Sequence, residues 1–196
     1  MKKMDPKGGT CKGSNNDDAF VVMYSKTKAD TSFTAKDTNF YNLGGSGKPF
    51  LYMINTKAKI NINNSVFQNE SGTFLDASGN GNGWGTQKEK GAEIEFNLVN
   101  QKIESDLVVD SISQLIINMK NSTIKGKINN AKTASALDIN LDNSSFIELT
   151  GNSYYTSLNN DDKTGRIFTK ITMNLENMTK ISHLLKVVRK ILILLC

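Results

Sequence analysis

Proline is nearly absent from this sequence, at two residues in 196. A backbone so poor in proline keeps its N–H donors, so long uninterrupted hydrogen-bonded ladders are permitted. Histidine occurs once, as His183, near the C-terminus. The body of the chain therefore cannot build a nucleophile–histidine–acid set or a zinc site with histidine ligands. Cys11 and Cys196 sit at opposite ends, in neither a metal spacing nor a disulfide framework, and read as incidental thiols. No stretch approaches the ~18 apolar residues of a membrane-spanning helix. The start, Met1 to Pro6, leads into glycine and asparagine, so no secretion signal is expected in this chain. Charge is sparse too: 22% of residues are charged, for a net +5, and the lysines are scattered. Without a basic patch or motif, no nucleic-acid partner is expected.

What the chain has is asparagine, 24 of them, with serine, threonine and glycine. Asparagine tolerates left-handed turns and hydrogen-bonds well to a copy of itself stacked above. The apolar residues alternate with polar ones, a strand pattern. They also repeat. Leu115, Ile117 and Met119 fall on Leu137, Ile139 and Leu141 at an offset of about 22, with Asn121-Ser122-Thr123-Ile124 on Asn143-Ser144-Ser145-Phe146. Outward from this pair, Ala92-Ile94-Phe96, Ala58-Ile60-Ile62, Thr31-Phe33-Ala35 and Ile171-Met173-Leu175 give further triplets. A strand and a corner at a roughly fixed period mark a solenoid. The expected fold is all-β, a parallel β-helix of about six coils, with a column of like residues as its core. The corner asparagines Asn64, Asn121 and Asn143 are expected to form an internal ladder.

Three regions follow: a partial coil or N-terminal cap at 1–28, the β-helix at 29–177, and a tail at 178–196. Residues 78–91 break the pattern as a glycine-rich excursion carrying Trp84. In the tail, Ile181, Leu184, Leu185, Val188, Leu192 and Leu195 fall at helical spacing, with Lys186, Arg189 and Lys190 opposite. This predicts an amphipathic basic helix. It would cap the stack, lie on an anionic membrane surface, or be an accident of a shifted reading frame; of these the membrane is disfavoured. If the apolar run Ala19 to Tyr24 is the last piece of an earlier coil, the chain begins inside a longer domain.

Ser78 to Leu158 resembles bacterial cell-surface right-handed parallel β-helices regarded as carbohydrate-binding domains, related in fold to pectate lyases. The residues that carry this are Gly81-Asn82-Gly83-Trp84-Gly85, Gln101 to Ser113, Leu141-Asp142-Asn143-Ser144-Ser145 and Leu149 to Leu158. Tyr52 to Thr56 with Ile60-Asn61-Ile62 is similar too. The resemblance implies a right-handed helix, export to the cell surface, polysaccharide as partner and calcium within the helix.

For sugar binding, aromatic faces and amide or hydroxyl groups are the required mix. Trp84, Tyr154 and Tyr155 are the candidate carbohydrate-binding residues. Trp84 reads equally well as a loop anchor, and the tyrosine pair as one inward and one outward residue of a strand. Among the spaced carboxylates Asp106, Asp110, Asp138 and Asp142, the candidates for calcium are Asp110 and Asp142, against a reading as solvated corner acids. No catalytic residue is assigned, and an enzyme is not expected. The sequence therefore points to a monomeric, non-catalytic polysaccharide-binding or adhesive surface domain. The alternatives are a structural spacer or passenger segment without a ligand and, more weakly, a calcium-dependent polysaccharide lyase.

Overall fold

In the computed structural model, residues 19–42, 47–79 and 90–161 are described. Fifteen strands run through them: β1 (Val21–Tyr24), β2 (Asp30–Lys36), β3 (Asn39–Asn42), β4 (Leu51–Ile54), β5 (Lys57–Asn63), β6 (Val66–Asn69), β7 (Thr73–Ala77), β8 (Glu93–Val99), β9 (Lys102–Glu104), β10 (Asp106–Val109), β11 (Gln114–Lys120), β12 (Thr123–Gly126), β13 (Ala136–Leu141), β14 (Phe146–Leu149) and β15 (Ser157–Asn160). The described part is all-β and every strand pairing in it is parallel.

The longest sheet has the order β15-β13-β11-β8-β5-β2. A second sheet runs β1-β4-β7-β10, and two short sheets pair β14-β12-β9 and β3-β6. Through β12 the chain visits the three sides in rotation, so each strand of the long sheet is followed by one of a short sheet. Because a strand alternates its side chains, one face of the long sheet is apolar. Ala58, Ile60 and Ile62 of β5, Ile94, Phe96 and Leu98 of β8, Leu115, Ile117 and Met119 of β11, and Leu137, Ile139 and Leu141 of β13 are all buried. They join one core with Leu51, Leu75 and Leu107 of the β1-β4-β7-β10 sheet and Ile103, Ile124 and Ile147 of a short one.

The corner after each long strand explains the asparagine content. Asp37, Asn64, Asn100 and Asn121 each follow the last residue of a long strand with φ of 51°, 49°, 49° and 47°. Asparagine and aspartate accept this left-handed geometry better than branched residues do. Their side chains also bond across rungs, Asn64 to Asp37 at 2.7 Å and Asn121 to Asn100 at 2.8 Å. Inside the same corner lies a buried polar column. Ser65 N–H donates to Gln101 Oε1, Gln101 N–H to Ser122 Oγ, and Ser122 N–H to Ser145 Oγ. Each side chain thus satisfies a backbone donor that the turn would otherwise strand.

The register of the central pair is as expected: Leu115, Ile117 and Met119 face Leu137, Ile139 and Leu141. The β2–β5 register also holds, with Thr31, Phe33 and Ala35 on Ala58, Ile60 and Ile62. Three expectations are corrected. On β8 the rung is formed by Ile94, Phe96 and Leu98, not by Ala92, Ile94 and Phe96. Ala92 lies before the strand, and its N–H donates to Ser113 Oγ at 3.0 Å. The corner at Asn143 is one residue wider than the corner at Asn121. Thr123 therefore faces Phe146, and Ile124 faces the buried Ile147. Asp142 closes the wider turn, as described below. Finally, the free side of β13 is taken by β15, with Ile139 on Leu158, and not by Ile171, Met173 and Leu175. Residues 171–175 and the expected tail helix at 178–196 lie outside the described residues.

Candidate functional site

The outward face of the long sheet carries a feature that the corner-centred sequence reading missed. Asn61, Asn97, Asn118, Asn140 and Asn159 occupy one column, each flanked in sequence by inward-facing residues. Asn97 Nδ2 donates to Asn61 Oδ1 at 3.1 Å, Asn118 to Asn97 at 2.8 Å, Asn140 to Asn118 at 2.7 Å, and Asn159 to Asn140 at 2.8 Å. Asn61 Nδ2 in turn reaches Thr34 Oγ1 at 3.5 Å. The signal was present in the sequence, because the offset that lays Ile117 on Ile139 also lays Asn118 on Asn140.

A primary amide has two N–H donors and an oxygen with two lone pairs. The ladder consumes one donor and one acceptor at Asn118 and Asn140, leaving one of each pointing away from the chain of bonds. At Asn97 the second N–H is taken by Glu95 Oε1 at 2.9 Å. That bond, with Lys59 alongside, holds the Glu95 carboxyl below its usual range despite some burial.

Beside the ladder, at the C-terminal ends of β8, β11 and β13, runs an open groove of about 320 Å³. Asn97, Asn118 and Asn140 line it with Val99, Lys120, Asp142 and the apolar Leu98, Met119 and Leu141, and Asp161 stands at the last rung. Ile116, 43% exposed, flanks Asn118 on its other side. The groove thus offers three neutral amides, the apolar surfaces of Leu98, Val99, Met119 and Leu141, and three charged groups.

Asp142, a candidate calcium residue, is engaged in the corner. Its carboxylate accepts from Asn121 N–H at 3.1 Å, Ser144 N–H at 3.2 Å, Ser144 Oγ at 3.0 Å and Ser145 Oγ at 2.6 Å. Burial pushes its pKa up, but the bonds from Ser145, Ser144 and Asn121 together outweigh it and hold the group ionised. Asp110, the other candidate, is buried next to the β1-β4-β7-β10 sheet and accepts from Ile112 N–H at 3.2 Å. It precedes β11, whereas Asp142 follows β13. A strand's length, roughly 20 Å, separates those two ends, so the structure does not bring the pair together. Asp106 is bonded to Lys127 and Asp138 to Ser157. Among the described residues no three histidine, cysteine, aspartate or glutamate side chains gather as metal ligands.

Tyr154 and Tyr155 do not line the groove. Tyr154 and Tyr155 lie between β14 and β15 and not on a strand. Tyr155 packs against the core, and burial raises its hydroxyl pKa. Lys132 Nζ sits 5.5 Å from the Tyr154 ring centroid, covering that face with a cation. Trp84 lies outside the described residues. Among the described residues, the outward polar feature beside the groove is the amide column. Compared with known proteins, the chain matches no family model, no curated protein and no solved structure.

Proposed function

We propose that this chain is a non-catalytic polysaccharide-binding or adhesive domain of a cell surface, wound as a right-handed parallel β-helix of about six coils. The rotation of the chain through three parallel sides supports the winding. The observation that carries the function is the unbroken amide column beside an open groove. Sugar hydroxyls both donate and accept, and each of Asn118 and Asn140 keeps one donor and one acceptor to answer them. Ile116 and Val99 supply apolar surface for the C–H faces of a sugar ring. The repeat of the site from rung to rung suits a polymer, whose many weak contacts add along one chain.

A structural spacer without a ligand is favoured by one specific fact: the same amides already bond to each other and stitch the rungs together. Pull-down by a panel of insoluble polysaccharides separates the two. Binding to at least one polymer is expected, and Asn118→Ala should weaken it about fivefold through loss of roughly one hydrogen bond per copy. Circular dichroism checks that the variant stays folded. A panel with no binder leaves the spacer as the function; binding indifferent to Asn118→Ala and Asn140→Ala alike moves the site off the amide column.

A further inference from the structure

Selectivity is written into the groove by what surrounds its amides. We propose that it takes neutral, hydroxyl-rich polysaccharide chains in preference to uronic-acid polymers, with the chain lying along the stacking direction and one sugar ring over each amide rung. This rests on the polysaccharide-binding reading above.

Three observations carry it. First, Asn118 and Asn140 each present an N–H and an oxygen lone pair, a donor–acceptor pair that a hydroxyl can satisfy from both sides. A uronate keeps its ring hydroxyls but exchanges one hydroxyl, which donates and accepts, for a carboxylate that accepts only. Second, the charges lining the groove are one cation, Lys120, against two carboxylates, Asp142 and Asp161. Asp142 is kept ionised by four hydrogen bonds and cannot easily take up a proton to admit an anion. The carboxylates lie on neighbouring rungs, since Asp161 N–H donates to Leu141 O at 3.1 Å. A polymer with a carboxylate on every sugar would meet them within a Debye length. Third, the apolar surface of Ile116 and Val99 flanks the amides, and rungs of a sheet recur about every 4.8 Å, close to the length of a pyranose ring in a ribbon-like chain.

The test is calorimetric titration of the full chain with cello- and xylo-oligosaccharides of two to seven units and with oligogalacturonates of the same lengths. Each is run with and without calcium, at low and high salt. The expected result is neutral chains binding about tenfold tighter than oligogalacturonates at low salt, the gap closing as salt screens the carboxylates. Affinity should rise with length up to about three units, the number of asparagines lining the groove, and then level off. Asp161→Asn should raise oligogalacturonate affinity about threefold. Oligogalacturonate binding as tight as the neutral chains, with or without calcium, overturns the selectivity while leaving a polysaccharide-binding domain standing. Binding of no oligosaccharide overturns both.

Discussion

The two ends of the described stack are filled by different chemistry. From β1 to β8 the core carries a cluster of aromatic rings among aliphatic residues such as Leu51, Ile60 and Ile62. Phe20, Phe50, Phe74 and Phe96 stack in file, with centroids 4.7, 5.2 and 5.8 Å apart, and Phe40 stacks on Phe67 at 5.0 Å. From β10 onward the core is aliphatic: Leu107, Leu115, Ile117, Ile124, Leu137, Ile139 and Ile147. The spacing of rungs changes with it. Bonded residues on neighbouring rungs are 27 and then 36 apart in the first half, but 21, 22 and 19 apart in the second. Aromatic rings fill the first half by stacking and edge contacts, and branched aliphatic residues lie over one another in the second. The asparagine column runs through both, from Asn61 to Asn159, and the groove lies beside its β8 to β13 part.

The largest effect expected from this contrast is at Phe50. Its ring stacks on Phe20 and Phe74 and meets Phe33, Phe40 and Phe67. Phe50→Ala should cost about 4 kcal/mol and Ile139→Ala about 3 kcal/mol, read from urea unfolding. The excess reflects ring pairs that are worth more than their area. Equal losses would mean that the aromatic half is only larger, not differently held.

Next comes the seam between the halves. A Cβ on Gly91 would stand 1.8 Å from Ile112 O, a backbone atom that cannot swing away. Gly91→Ala should therefore cost more than about 2 kcal/mol by forcing β8 and the chain before β11 apart. Gly72, at φ +77° in open space, should lose only about 1 kcal/mol on the same change, for backbone strain alone. Thermal melts of the two variants give the comparison, and similar melting points would show that the seam can give.

Each half also holds a carboxyl displaced in the opposite direction. Burial raises Asp76, on the outer side of β7; the bond from Ser78 opposes this and nearby Asp110 adds to it. Asp142 is lowered, as described above. The raised group favours the folded state below the ordinary aspartate pKa of about 3.9, and that contribution is lost as pH rises through its folded value. The lowered group contributes above about 3.9, and its contribution is lost as pH falls through its folded value. Asp76→Asn should accordingly be at least as stable as the parent at pH 7. Asp142→Asn should be about 1 kcal/mol less stable there and indistinguishable at pH 2. Urea midpoints from pH 2 to 7 decide it, and parallel curves for the two variants would contradict both assignments.

How much of this was legible in sequence follows the same division. The register of β11 on β13 could be read directly, because apolar triplet and corner repeat together over one short lap. On β8 the alternation continues from Ala92 through Leu98, so periodicity alone allowed two frames. The frame was set by the side chains around it, with Ser113 receiving Ala92 N–H and Phe96 continuing the phenylalanine file. The extra residue at Asp142 was invisible for a related reason. Asn-Ser-Ser looks like the Asn-Ser-Thr corner until the carboxylate is seen gathering Ser144, Ser145 and Asn121. The site was missed where attention went to aromatic residues and corners; neutral outward asparagines in mid-strand look unremarkable one at a time, and only their alignment makes a surface.

The smallest expected effect tests whether charges or amides hold β5 to β8 on that surface. Lys59 Nζ lies 3.2 Å from Glu95 Oε1, bridging β5 and β8 with side chains 58% and 43% exposed. Water and salt screen such a pair, and ordering two long side chains offsets most of what remains. Lys59→Ala should therefore change stability by less than about 0.5 kcal/mol, and the change should vanish in 1 M salt. Asn97→Ala, one column over, removes the bonds to Asn61 and Glu95 and the acceptor for Asn118. Its loss, about 1 kcal/mol or more, should persist in salt, because amide bonds depend on geometry and not on net charge. A salt-sensitive loss at Lys59 equal to that at Asn97 would mean that ion pairs hold β5 to β8, and that the ladder is decoration on a contact made by charge.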